Sequence, residues 1–449
     1  MKKPSVLATI CLSLLSGLPS ALLAADDGFS NPVVGSTLED FFTAAISYSP
    51  QLQIAEERLN IGSARKRAAK GQLLPQIRAN ASVSDNQFEN TFVDDNFIGE
   101  RYSLVLTQVL FNWQAFAARR EASLLENQFE AEYFGELAFL LTDVAEKYFN
   151  VLQANDALDS IASELDAVRN QNEQIQSLYD RQLAQITDLY QAQASVALVE
   201  AQQLQLQTEL AVNREALRSV SGVESGELYR LSENANIPPL SNSINYWVRQ
   251  AEENNHQIRA REYAVRAANE RIDQRRGAFM PQVNLVFQQQ NSNVGYENRP
   301  QDITDNTYIG VNVSIPLYAG GSNRAAIREA TSQRRIVESE LRQVQLQASE
   351  RVRSAYLQVQ SAETLIDAAQ KLLDSTTLSS TAMQRGFELG AVTSVDVLNA
   401  LRDQFSAERD LQQTRYEHIK YYLMLKREAG GLSADDLLEV GNWLVAPTE

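Results

Sequence analysis

The chain carries one pattern twice, and that repetition limits its fold more than any other feature. Residues 73–77 read LLPQI and residues 279–283 read FMPQV, which places Pro75 and Pro281 at an offset of 206. Upstream, Leu38 to Ala55 matches Ile244 to Arg261 in apolar pattern at the same offset. Downstream, Val109-Leu110-Phe111 matches Pro316-Leu317-Tyr318 at 207, and Asp188 matches Asp396 at 208. An offset drifting by two over four ordered landmarks is what duplication followed by small loop insertions leaves. The boundaries this implies are a first repeat over 36–221 and a second over 243–429. A segment at 222–242 lies between them, and its counterpart is the tail at 430–449.

Each copy reads as a helix, two strands, a very long helix and a return helix. In the second copy, apolar or small residues recur at Val337, Leu341, Val344, Ala348, Val352, Ala355, Val359, Ala362, Ile366, Ala369 and Leu373. Steps of four and three, with one extra four, make a heptad stripe with a local stutter. The first copy carries the same stripe from Leu137 to Tyr179, and both stretches nearly lack Gly and Pro. Each predicts a helix of about 65 residues, or roughly 100 Å at 1.5 Å per residue. A soluble coiled-coil rod would show the same stripe.

The predicted strands argue against a rod. Residues 308–315, YIGVNVSI, alternate apolar Ile309, Val311, Val313 and Ile315 with Gly310, Asn312 and Ser314. A strand apolar on one face and polar on the other suits a barrel wall between lipid and water. The expected strands are about 76–88, 100–110, 282–291 and 307–317. Their expected outward sets are Ile77, Ala79, Ala81 and Val83, then Tyr102, Leu104 and Leu106, then Val283, Leu285 and Phe287. Polar stretches from Asn86 to Gly99 and from Asn291 to Asn306 read as loops. Pro75, Pro281 and Pro316 read as strand–helix corners. Four strands cannot close a barrel, so the pattern implies several chains sharing one.

The first residues fit an exported protein. Lys2 and Lys3 precede an apolar run ending in Ala24 and Ala25, then Asp26 and Asp27, so residues 1–24 read as a cleaved signal peptide. The only cysteine, Cys11, lies inside that run, which leaves the mature chain without thiol chemistry. Removing Lys2 and Lys3 takes the formal charge from −17 to −19, which argues against nucleic acid as partner. His256 and His418 have no metal-ligand cluster around them and read as surface helix residues. No nucleophile–base arrangement or phosphate loop stands out, so neither a cofactor nor enzymatic activity is expected.

The motifs at the far end are the most specific. Residues 386–407, GFELGAVTSVDVLNALRDQFSA, run on into DLQQTRY at 410–416; SIPLYAGG spans 314–321 and LSADDLLEVGNWL spans 432–444. In these passages the chain resembles the TolC family of outer-membrane channels over roughly residues 36–445. That resemblance implies a mixed α and β membrane protein. Its architecture would be a homotrimer with a shared twelve-stranded β-barrel in the outer membrane and a long periplasmic α-helical coiled-coil barrel. It implies a passive exit duct working with a periplasmic adaptor (membrane fusion) protein and an inner-membrane ABC or proton-driven transporter. The competing reading is an exported structural or adhesin-like rod.

The resemblance also assigns residues. The helix–helix turns at 178–187 and 383–393 become the periplasmic tip and the adaptor contact, with Gly386 and Gly390 in the second turn. Asp396 and Asn399 take pore-lining positions, although Thr393 followed by Asp396 also has capping-box spacing. The family's closed tip is tied by a tyrosine and an arginine on the second turn, meeting a threonine–aspartate pair on the first return helix. Thr187 and Asp188 match the pair. Phe387 and Val392 stand where the tyrosine and arginine would, so that tie does not carry over.

Overall fold

In the computed structural model of the chain, the described residues are 34–89, 94–232, 235, 237–295 and 298–446. The expected signal peptide lies outside them, as do the tips of both expected outer loops and the last residues of the tail.

Where one helix is expected to open each copy, the chain builds two. Helix α1 (Leu38–Tyr48) starts from a capping box of Thr37 and Asp40 and ends at Ser49. Ser49 then caps α2 (Pro50–Gly71), whose first residue is the proline. Proline tolerates the first helical position because its missing N–H has no partner there, but its ring bars the preceding residue from a continuing helix. Strands β2 (Gln76–Glu89) and β3 (Asp94–Asn112) follow, then the long helix α3 (Trp113–Asp180) and the return helix α4 (Ile186–Ser221). Short strands β4 (Glu224–Ser225) and β5 (Arg230–Leu231) occupy the segment between the copies, after β1 (Val34–Gly35) at the start.

The same order then recurs. Helix α5 (Ile244–Asn254) and α6 (His256–Arg276) break at Asn255, which caps α6 by accepting from the N–H groups of Gln257 and Ile258. Strands β6 (Gln282–Val294) and β7 (Pro300–Ser314), the long helix α7 (Ser322–Glu388) and the return helix α8 (Ser394–Glu428) complete the copy. The tail, whose Gly-rich start and likeness to residues 222–242 predict a non-helical element, instead forms a helix, α9 (Ala434–Gly441), followed by β8 (Leu444–Val445). Its start carries the Ser433–Asp436 capping box, which the amphipathic octapeptide needs to hold a helix so short. Strand β8 pairs antiparallel with β5, and β1 pairs parallel with β4, so the non-helical segments gather at one level.

The two hairpins form one antiparallel sheet in the order β2-β3-β6-β7. Pairing continues through the stretches expected as loops, from Asp85↔Ile98 to Glu89↔Asp94 and from Asn291↔Asp305 to Val294↔Pro300. Asn, Asp and Gln are poor strand formers, but a hairpin already in register supplies their backbone partners and leaves the side chains to water. Strand β7 ends at Ser314, before Pro316, because proline has no N–H for the ladder.

The heptad stripes are the packed faces. On α7, Ala348, Val352, Ala355, Val359 and Ala362 are buried; on α3, Val144, Tyr148, Val151, Ile161, Leu165, Val168 and Ile175 are. The main core joins α1, α3, α7, α8 and α9, with Phe41, Tyr148, Phe149, Val352, Tyr416 and Ile419 at its centre. The Tyr148 hydroxyl donates to the carbonyls of Ser36 and Tyr229, tying α3 to the irregular segments. Tyr416 donates to Asp156 at 2.6 Å. Helix α3 packs on α2, α4, α6 and α8, whereas α7 packs on α5, α6 and α8. Neither histidine is a surface residue: His418 is 5 % exposed and His256 is half-buried against Phe134. No described helix is long and apolar enough to cross a membrane.

Candidate functional site

The two helix–helix turns are built alike. The long helix α7 ends in a Schellman motif: Ala391 N–H donates to the Gly386 carbonyl at 2.8 Å and Gly390 N–H to the Phe387 carbonyl at 2.9 Å. Gly390 holds φ +73°, the left-handed conformation that glycine adopts without a Cβ penalty. Helix α3 ends the same way, with Leu183 N–H on the Leu178 carbonyl and Gln182 N–H on the Tyr179 carbonyl, both at 2.8 Å. Gln182, the counterpart of Gly390 at the 208 offset, takes φ 62° with a full side chain.

Both aspartates cap the helices that leave the turns. Thr393 N–H and hydroxyl donate to the Asp396 carboxylate at 3.0 and 2.6 Å, and Asp396 N–H donates back to the Thr393 hydroxyl at 3.3 Å. Those bonds, the hydroxyl's first, hold the Asp396 carboxyl below its ordinary range. Its other edge is open to solvent. Asn399 is exposed one turn along, on the same face as Asp396. Asp188 accepts from the Gln185 N–H at 3.4 Å. Thr187 turns its hydroxyl toward Gln185 Oε1, also at 3.4 Å.

Phe387 packs against the apolar cluster of Ile161, Leu165, Ile175, Leu189 and Leu398, which draws on α3, α4 and α8. Val392 sits so close to Gly386 that a Cβ there would lie 3.3 Å from both Val392 methyls. Among the described residues, no ion pair or side-chain hydrogen bond joins the two turns. Apolar packing, and farther up a buried ion pair of Arg409 with Glu164 at 2.7 Å, hold the two copies together here.

At the other end, Pro75 and Pro281 immediately precede β2 and β6, and Pro316 lies two residues past β7. The register brings the four expected apolar sets onto one face: Ile77, Leu106, Phe287 and Ile309 form one row across the sheet. The opposite face carries Asn80, Ser103, Gln290 and Asn306 in a row. Among the described residues, strands β2 and β7 are edges with no further partner.

The sequence model for outer membrane efflux proteins matches residues 43–223 and 247–431. The chain belongs to this family. It is 25 % identical over 427 residues to the outer membrane protein TolC of Vibrio cholerae, an alignment covering 94 % of this chain and 97 % of that protein. It is 26 % identical to the alkaline protease secretion protein AprF of Pseudomonas aeruginosa, covering 93 % and 88 %. Among solved structures, CusC superposes with a TM-score of 0.78 at 19 % identity, over 88 % of this chain and 92 % of that one. The Vibrio cholerae outer membrane protein VceC superposes at 0.75 and 19 %, over 88 % and 96 %.

In this efflux-family chain the turns hold residues that the motifs did not flag. Leu183 and Leu389, next to the two left-handed residues, are 72 % and 84 % exposed, and Tyr190 is exposed beside them. Asp403, seven residues past Asp396, extends its exposed face and pairs with Arg402. The i, i+3, i+7 spacing of Asp396, Asn399 and Asp403 is the signal that could have found it.

Proposed function

We propose that three copies of this chain close a twelve-stranded barrel in the outer membrane and a twelve-helix periplasmic tunnel beneath it. The observation that carries this is a four-stranded sheet with an apolar row, Ile77, Leu106, Phe287 and Ile309, across one face and two edges left unpaired among the described residues. Strand directions alternate across the sheet, so β2 and β7 run oppositely. The β7 edge of one chain therefore fits antiparallel beside the β2 edge of the next, and a head-to-tail contact of this kind closes into a ring. The flank of α7 turned away from α6 and α8 would be covered by the same neighbour.

The assembly is a passive exit duct with no catalytic residues, taking substrates from an inner-membrane ABC or proton-driven transporter through a periplasmic adaptor. The exposed Leu183 and Leu389 at the turns give that adaptor an apolar anchor, rimmed by Thr187, Asp188 and Gly386. Asp396 and Asn399 line the entrance. Some relatives bear the names of protease secretion proteins and others of efflux proteins, which keeps secreted protein and small toxic molecules both within the cargo class. Cross-linking of the detergent-solubilised protein should stop at three chains. A monomer under mild extraction, or release from membranes without detergent, overturns the shared barrel.

A further inference from the structure

The level just below the sheet is basic in a chain whose net charge is −17. The last turns of α2 carry Arg65, Arg67 and Lys70 with no acid between them. Arg275 stands at the end of α6, and Arg324 and Arg328 stand in the first turns of α7. All six lie within about 10 Å of the strand–helix corners along their helix axes. All six are exposed, and none makes a side-chain hydrogen bond or ion pair among the described residues. Six exposed cations on one level raise the local positive potential, which favours an anion there.

The same level has an exposed apolar belt. Leu317 and Tyr318, in the connector from β7 to α7, are 91 % and 88 % exposed; Leu74, Leu110, Phe279 and Met280 are exposed at the other corners. Apolar side chains of this size next to long basic ones match the edge of a bilayer. There the apolar part enters the acyl region, and Lys and Arg stems extend to the headgroups. Resting on the barrel reading above, we propose that this band binds anionic phospholipid headgroups of the periplasmic leaflet, seating the trimer at a fixed depth. Phosphate oxygens would accept from the guanidinium and ammonium donors, and a zwitterionic headgroup would be held less well because its own ammonium repels them.

The test is reconstitution of the purified trimer in an equimolar mixture of phosphatidylethanolamine and phosphatidylglycerol, with retained lipid read by native mass spectrometry. Phosphatidylglycerol should be enriched roughly fivefold on the wild type. The enrichment should vanish in the triple variant Lys70→Gln, Arg275→Gln, Arg324→Gln. It should persist in Arg249→Gln, Arg353→Gln, Lys371→Gln, where equally exposed charges lie far from the sheet. If the first variant does not assemble, high salt during reconstitution of the wild type should remove the enrichment instead. Equal retention of the two lipids on the wild type, or enrichment untouched by both the variant and salt, overturns the assignment while leaving the trimeric duct standing. A chain that enters neither lipid overturns the barrel and the lipid band together.

Discussion

Gln182 and Gly390 occupy the same place in two copies of one turn and solve it differently. A left-handed backbone costs an ordinary residue about 1–2 kcal/mol, and glycine avoids that cost while losing more freedom on folding. Gln182→Gly is expected to stabilise by roughly 0.5 kcal/mol per chain, and Gly390→Ala to destabilise by about 1 kcal/mol. Apparent unfolding temperatures of the solubilised protein check both, and equal shifts of one sign would mean that the two turns are not counterparts. His418 shows the limit of reading burial from a sequence: lying among polar neighbours on α8, it is nonetheless enclosed, and its Nδ1 lacks a hydrogen-bond partner. Burial lowers its proton affinity, partly offset by Glu363 on α7. A histidine whose pKa is lowered in the fold contributes stability above the unfolded value of about 6.5, and that contribution is lost as pH falls through the folded value. His418→Gln should therefore flatten the decline of unfolding temperature between neutral and mildly acid pH. His256, shifted in the same direction by its own burial, leaves a remainder.

Among the elements, the long helices and the sheet were the most legible. The stripe from Val337 to Leu373 is the face α7 packs, because a period of three and four puts those residues on one side of any helix. Alternation in 308–315 identified β7 for the same kind of reason. The break between α1 and α2 was missed although Pro50 signalled it, and Asn255 performs the same break without a proline. At the tip, Phe387 fills the apolar cluster and Val392 abuts Gly386, so packing stands where a charged tie would be. Val392→Arg should supply Asp188 with a partner and lower single-channel conductance without disturbing trimer assembly. Adding Asp188→Ala should restore the conductance. An unchanged conductance in the single variant would show that the two turns do not face each other across the entrance.

For the whole molecule, the proposed threefold symmetry would turn single residues into rings. Three Asp396 carboxylates converging on one axis would concentrate negative potential and draw in multivalent cations from the periplasmic side. Because Asp396 also caps α8, its charge has to be removed without its acceptor: Asp396→Asn keeps an oxygen for the Thr393 N–H. That variant should weaken block by a multivalent cation roughly tenfold. Glu39→Ala, in the first turn of α1 and remote from the tip, should leave it unchanged. Equal block in planar-bilayer recordings of both variants would leave Asp396 as a helix cap alone.

The sequence by itself determined the lengths of the long helices, the apolar and polar faces of the strands and the cap at the second turn. Each is a local matter: periodicity sets which side a residue occupies, and capping needs a partner only three residues away. Only the tertiary structure decided that β3 pairs with β6. That joins the two copies into one sheet and lines up Ile77, Leu106, Phe287 and Ile309. It also decided that the polar hairpin ends stay paired, that the tail folds a helix and pairs β8 with β5, and that His418 is enclosed. These depend on which distant segments meet, and contact between residues nearly two hundred positions apart leaves no period in the chain for a reader to find.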